Sequence, residues 1–202
     1  MDSGLFRTIE SVSAGTYREK GSKFLAFAYP VQQEGEAKQH VAALKKQYHD
    51  ARHHCFAWVL GPAGDHSRAY DDGEPGHSAG DPILGQIRSR SLTNILIVVV
   101  RYFGGVKLGV GGLINAYRTA AEEALNNAVI VTCEVRNSIK ITYPYTSTAE
   151  VMRLVKEQDI YIRSQDFAEE CVLHGEVRPA DQPVLNEKIR VLQAMGHAIL
   201  IE

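Results

Sequence analysis

The alternation of hydrophobic and polar positions along this chain predicts a succession of strands and helices. Residues 24–30 and 54–60 are rich in apolar and aromatic side chains and predict strands. The run NILIVVV, residues 94–100, is apolar at nearly every position, which predicts a central strand buried on most sides. Apolar residues at helical spacing predict helices over 37–48 and 113–127, and the second helix has one apolar stripe formed by Leu113, Tyr117, Ala121, Ala124 and Leu125.

A polar stretch rich in glycine and proline, residues 61–80, separates two of these elements and predicts a long loop. Asp81 and Pro82 follow it. Asp81 is a favourable N-cap residue, and proline is tolerated at the first helical position because its missing N–H is not needed there. A helix capped by Asp81 is therefore predicted after the loop.

The second part of the chain has a different order of predicted elements. From residue 139 onward the pattern predicts strand, helix, two strands, helix and strand, which is the ferredoxin-like order. Ser147 and Glu150 have the spacing of a capping box at the start of the first of these helices. The predicted fold class is α+β, with one domain over residues 1–137 and a ferredoxin-like domain over 138–202.

Composition limits the partners and the compartment. Hydrophobic residues make up 45% and charged residues 23% of the chain, as in soluble globular proteins. The net charge of −2 gives no overall basic field, so nucleic-acid binding would need a local patch. No apolar run reaches membrane-spanning length. Cys55, Cys133 and Cys171 are widely spaced, so we expect buried thiols in a reducing cytoplasm and no membrane partner.

The acidic stretch DDGEPGHSAG contains the pattern G-x-S-x-G around Ser78, which is typical of a hydrolase nucleophile. That chemistry needs a strand directly before the serine, and the residues there are acids, glycine and proline. Asp71, Asp72 and Glu74 offer carboxylates for a hard cation, but their spacing matches no known ligand pattern. We interpret this acidic turn as a solvated turn, and predict no catalytic residue, metal ion or cofactor.

A second glycine-rich stretch, VVVRYFGGVKLGVGGLINAY, joins the central strand to a helix. A strand, a glycine-rich loop and a helix N-terminus together form a favourable site for an anion. The spacing excludes a P-loop and a dinucleotide fingerprint. Glycines that serve only turns and close packing remain the alternative. The predicted residues for anion or RNA binding are Arg101, Gly104, Gly105, Lys107, Gly109, Gly111 and Gly112.

Taken together, the DDGEP stretch, the segment ARHHCFAWVL and the second glycine-rich stretch resemble the IMPACT family, whose bacterial members are the YigZ-like proteins. The resemblance covers the whole chain. It implies a two-layer α/β N-terminal domain, similar to a ribosomal-protein domain and to GHMP-type kinases. It also implies that the C-terminal domain is similar to the last domain of elongation factor G. Asp81 and Asn115 occupy positions where basic residues are common in the family, which weakens the expected phosphate site.

The resemblance implies a regulatory role rather than an established catalytic activity. Both folds recur in RNA-associated proteins, and eukaryotic relatives act in translational control by competing at a kinase activator. The expected function is therefore that of a binding or regulatory protein linked to translation, which contacts RNA, the ribosome or a protein partner. The alternative is a hydrolase or phosphotransferase that acts on a small anionic substrate.

Overall fold

A computed structural model describes residues 4–168 and 170–202, which form eleven strands and five α-helices. Contacts divide them into two compact units: Leu5–Cys133 is one, and Glu134–Glu202 with Gly4 is the other. The mixture of helices with antiparallel sheets confirms the predicted α+β class. No helix in the described ranges is both long enough and apolar enough to span a membrane.

The elements of the first unit, in chain order, are β1 (Leu5–Ile9), β2 (Ser13–Glu19), β3 (Ser22–Pro30), α1 (Glu34–Gln47), β4 (His53–Leu60), β5 (His66–Tyr70), α2 (Gly80–Ser89), β6 (Ile95–Tyr102), α3 (Gly109–Asn126) and β7 (Ile130–Glu134). Five of the strands form an antiparallel sheet in the order β2-β3-β6-β4-β5. The other two, β1 and β7, pair as a separate two-stranded sheet.

The central strand β6 is apolar on both faces, and this determines the layering of the first unit. Ile95, Ile97 and Val99 pack into the core formed with α2 and α3. The residues between them, Leu96 and Val98, pack into a second core beneath α1 on the opposite face. Alternate side chains of a strand point to opposite faces, and both sets are apolar here, so each face of the sheet must be buried against another element. Helix α1 thus forms a third layer, where two layers were expected from the resemblance.

Helix α3 follows the predicted apolar stripe. Its buried side chains include all five residues predicted for that stripe, namely Leu113, Tyr117, Ala121, Ala124 and Leu125. The helix begins at Gly109 rather than at Leu113, so three of the loop glycines lie in its first turn. It also packs closely on β2, because a Cβ built on Gly15 would lie 2.4 Å from the backbone nitrogen of Ala124.

The second unit contains β8 (Asn137–Pro144), α4 (Thr148–Glu157), β9 (Tyr161–Phe167), β10 (Glu170–Val177), α5 (Gln182–Ala194) and β11 (Leu200–Ile201). Its antiparallel sheet has the order β11-β8-β10-β9. Residues of both helices and of the sheet share one core. The order of elements is β-α-β-β-α-β, the ferredoxin-like sequence of elements.

Several local predictions were wrong. The polar stretch after β4 contains strand β5 instead of being a continuous loop. Helix α2 begins at Gly80, so Asp81 lies in its first turn and is not its N-cap. Ser147 is the N-cap residue of α4 as predicted, but its side chain makes no capping hydrogen bond to the helix, and its Oγ lies 3.0 Å from Nδ1 of His197. Cys133 is half-buried rather than buried.

Candidate functional site

Each carboxylate of the acidic turn is bound to the rest of the first unit. Asp71 lies directly after β5, and its side chain accepts hydrogen bonds from the backbone N–H groups of His77, Ala79 and Gly80 at 2.9, 3.0 and 2.8 Å. Burial raises the pKa of this carboxyl, but the three N–H donors outweigh burial and hold it below its ordinary value. Asp71 thus caps the start of α2 from outside the helix.

Asp72 connects the turn to β4 and α1. Its Oδ2 accepts the backbone N–H of His54 at 2.7 Å, and its Oδ1 lies 3.0 Å from Nζ of Lys45. Its main-chain carbonyl accepts a 2.9 Å hydrogen bond from Nδ1 of His53. A carbonyl only accepts, so this bond leaves Nε2 of neutral His53 without a proton. The backbone of Asp72 has φ of +43°, a conformation that aspartate tolerates better than most residues.

Glu74 reaches furthest into the protein. Its side chain is 4% exposed, and its Oε1 accepts hydrogen bonds from Nη1 of Arg101 at 2.5 Å and from the hydroxyl of Tyr117 at 2.7 Å. Arg101 is 7% exposed, and its guanidinium also lies 5.5 Å from the ring centroid of Phe24. The three residues come from the turn, from β6 and from α3. The expectation of a solvated turn is therefore wrong for Glu74.

The thiol of Cys55 extends this network into the core. Its Sγ donates to the main-chain carbonyl of Asp71 at 3.0 Å and lies 3.3 Å from the hydroxyl of Tyr117. Burial raises the pKa of Cys55 and of Tyr117 far above their ordinary values. Both groups therefore stay protonated at neutral pH and act as hydrogen-bond donors rather than as nucleophiles.

The loop from Phe103 to Leu108 and the start of α3 are rich in glycine and, unlike the acidic turn, contain no carboxylate. Gly104 lies against the hairpin between β2 and β3, where a Cβ on it would come within 1.9 Å of the carbonyl carbon of Gly21. Gly105 and Gly109 have φ of +88° and +71°. The first turn of α3 contains no acidic residue, and no described side chain caps it. Its N–H groups and its positive dipole end are therefore available to an anion.

The acidic turn and the glycine-rich loop border one cleft of about 490 Å³. Glu74, Pro75 and Arg101 form one part of its wall, and Phe103 and the segment 107–110 form another. Arg52, His53 and Leu113 complete the lining. The structure thus brings predicted residues of both stretches together, with Lys107 and Gly109 at the cleft and Arg101 paired with Glu74.

Arg52, His53 and Tyr117 belong to this site but were not predicted as site residues from the sequence. Tyr117 was predicted only as part of an apolar helical stripe, and its hydroxyl contact with Glu74 depends on the tertiary fold. Arg52 and His53 stand at the start of β4, in the segment that carried part of the family resemblance. The two consecutive histidines with which β4 begins were the one local signal.

Ser78 is placed as a structural residue. Its side chain is fully buried, and its Oγ donates to the carbonyl of Pro75 at 2.6 Å. The nearest strand before it, β5, ends eight positions earlier at Tyr70. A nucleophile must be exposed at a sharp turn directly after a strand, so this geometry does not support the hydrolase interpretation of G-x-S-x-G. Within the described ranges no group of three or more potential metal ligands is present.

We predict that Glu74→Gln destabilises the protein by roughly 3–5 kcal/mol, because it leaves the buried Arg101 charge without its partner. Urea unfolding at neutral pH measures the loss. Glu122→Gln makes the same chemical change at an exposed position of α3 and should alter stability by less than about 0.5 kcal/mol. Equal effects of the two variants would contradict a structural role for the Glu74–Arg101 pair.

A second prediction concerns pH. Burial lowers the pKa of His54 below its ordinary value of 6.5, so the unfolded chain binds the proton more readily than the folded one. The unfolding free energy should therefore fall as pH drops from 6.5 through this lowered pKa. His54→Phe should lose less stability over the same range. Urea unfolding at several pH values from neutral to mildly acidic compares the variant with the wild type. Parallel curves of unfolding free energy against pH would contradict a lowered pKa of His54.

Comparison with known proteins identifies the family. The family model of the Impact N-terminal domain matches residues 20–125 of this chain. IMPACT family member YvyE of Bacillus subtilis (strain 168) is 34% identical over 148 residues, which are 73% of this chain and 68% of YvyE. IMPACT family member YigZ of Escherichia coli (strain K12) is 41% identical over 108 residues, covering 52% of this chain and 53% of YigZ.

A solved structure supports the fold along nearly the whole chain. The crystal structure of a hypothetical protein covers 97% of this chain and 96% of its own length, with a TM-score of 0.74 and 27% sequence identity. The family domain matches more than half of the chain, and YvyE aligns with most of it. The resemblance noted from the sequence is confirmed: the chain belongs to the IMPACT family and is similar to its bacterial YigZ-like members.

Proposed function

We propose that this chain is a binding or regulatory protein linked to translation, and that the cleft beside α3 binds a phosphate of RNA. The observation that carries the proposal is the placement of Arg52, Lys107 and the uncapped start of α3 around one opening. Helix N-termini and basic side chains recognise phosphate without reading sequence. The expected contact is therefore to the RNA backbone rather than to the bases.

The balance of charge in the cleft supports an anionic ligand. Glu74 is the acidic residue among those that line the cleft, and its charge is compensated by Arg101. Arg52 and Lys107 add positive charge, and His53 contributes a further one when protonated. From the sequence, Asp81 was expected to weaken the phosphate site. It lies in the first turn of α2 and does not line this cleft.

The translational part of the proposal rests on family membership. The resemblance implies a regulatory role, with RNA, the ribosome or a protein as partner and the cytoplasm as the compartment. A binding role also agrees with the acidic turn, whose carboxylates hold α2, β4 and β6 in place instead of facing a substrate.

The enzyme alternative finds less support in the side chains. Ser78 is buried, and the thiol of Cys55 and the hydroxyl of Tyr117 are protonated donors within the core. The cleft is nonetheless of the size that small ligands occupy, about 300–1,000 Å³. A small phosphorylated compound is therefore the competing ligand that an experiment must distinguish from RNA.

We predict that Lys107→Glu weakens RNA binding roughly fivefold to tenfold at about 0.1 M salt, because glutamate repels the phosphate that lysine attracts. The slope of log affinity against log salt should decrease in magnitude by about one. Fluorescence anisotropy of labelled single-stranded RNAs of several sequences measures both quantities. The loss should be similar for every sequence, because phosphate contacts carry no base information.

Lys46→Glu is the matched control, because it reverses the same charge on an exposed position of α1, away from the cleft. It should leave RNA binding unchanged. The same proteins are then titrated with small phosphate compounds, and the melting temperature is measured. Stabilisation by such a compound without RNA binding would favour the enzyme alternative. If the two variants bind RNA equally, the cleft is not the RNA site.

A further inference from the structure

A groove separate from the cleft lies on the opposite face of the five-stranded sheet, between α1 and strand β5. Its volume is about 310 Å³. The sheet contributes Phe56, Trp58 and Tyr70, and α1 contributes the smaller apolar side chains of Val41 and its neighbours Ala37 and Ala42. Tyr70 is 43% exposed, and its ring lies 5.3 Å from that of Phe56 at an angle of 38°. The groove is thus an apolar slot with an aromatic wall.

Strand β5 is the last strand of its sheet and pairs with β4 along five consecutive residues. Among the described strands, none pairs with its other side. In an edge strand, half of the backbone N–H and C=O groups point away from the sheet and can pair with another chain. The groove therefore runs beside a row of backbone donors and acceptors that an extended peptide can use.

The rim of the groove carries more positive than negative charge. Glu34 is its acidic residue, and both Lys38 and Arg68 share that carboxylate, at 3.1 and 3.4 Å. Lys45 is a third cation on the rim and pairs with Asp72. Two cations on one carboxylate leave a positive charge that an acidic partner would neutralise.

We propose that this groove binds an extended, acidic peptide segment of a partner protein, which adds to the sheet as a strand beside β5. One apolar side chain of the peptide enters the slot between α1 and Tyr70. Carboxylates two positions before and after it share its face of the strand and lie against Lys38 and Arg68. Backbone pairing supplies affinity and the slot supplies specificity, as in other cases of strand addition to a sheet edge.

The same features distinguish a peptide from a nucleic acid. Single-stranded nucleic acids bind where several aromatic rings offer free faces for the bases. Here Trp58 is only 8% exposed and Phe56 is half-buried, so Tyr70 alone presents much of its ring to solvent. A slot that admits one apolar side chain, beside a free strand edge, fits a peptide better than a run of stacked bases.

The test uses the full chain and a displayed library of random heptapeptides. Selected peptides should contain an apolar residue with Asp or Glu two positions before or after it, because alternate residues of a strand share a face. Trp58 is the single tryptophan of the chain and lines the groove, so its fluorescence reports binding of the synthetic peptides. Arg68→Glu should weaken binding about tenfold. Arg68→Gln is a milder second variant, and circular dichroism verifies that both remain folded.

Two controls locate the contact. Lys46→Glu on α1 and Lys107→Glu at the cleft should bind the peptides as the wild type does, since neither residue lines the groove. N-methylation of every second peptide nitrogen should abolish binding when the methylated nitrogens face β5. Methylation of the other set, which faces away from β5, should leave binding unchanged, as expected of strand pairing. The proposal fails if no peptide is selected, if binding ignores Arg68, or if both N-methylation patterns are tolerated. It also fails if an oligonucleotide, rather than a peptide, changes Trp58 fluorescence in an Arg68-dependent manner.

Discussion

The buried ion pair between Glu74 and Arg101 is the constraint on which the site depends. Two charges removed from water are stable only when they are paired and hydrogen-bonded, and here the hydroxyl of Tyr117 donates a second hydrogen bond to the Glu74 carboxylate. Because the three residues come from the turn, from β6 and from α3, the pair holds a loop against the sheet and the helix. The wall of the cleft and the start of α3 are thereby positioned relative to each other.

The acidic turn and the glycine-rich loop consequently have different roles. In the turn, Asp71 caps α2, Asp72 binds the backbone of β4, and Glu74 neutralises Arg101. These carboxylates resemble a catalytic or metal-binding cluster in the sequence, yet their hydrogen bonds are made within the first unit. The cleft is lined by apolar residues such as Phe103 and Leu113 together with Arg52, Lys107 and the start of α3. The basic side chains and the free helix N–H groups favour a bound anion.

The sequence predicted those elements whose apolar pattern is strong. The run in β6 and the buried stripe of α3 were both recognised, since each depends on residues close together in the chain. Strand β5 was missed because an edge strand with alternating exposed polar residues resembles a loop. The cap on α2 was assigned to Asp81 because local rules cannot detect a carboxylate such as Asp71, which approaches from nine positions before the helix begins. The pairing of Glu74 with Arg101 spans 27 residues and is likewise set by the tertiary fold.

The most direct test of the account is an amide NMR titration of the full chain with a short single-stranded RNA at low salt. We expect the largest shifts on the backbone N–H groups of Gly109, Val110 and Gly111, with further shifts at Arg52 and His53. Those N–H groups lie at the uncapped start of α3, where a phosphate would accept their hydrogen bonds. Shifts confined to other surfaces, with the start of α3 unchanged at saturating RNA, would contradict it.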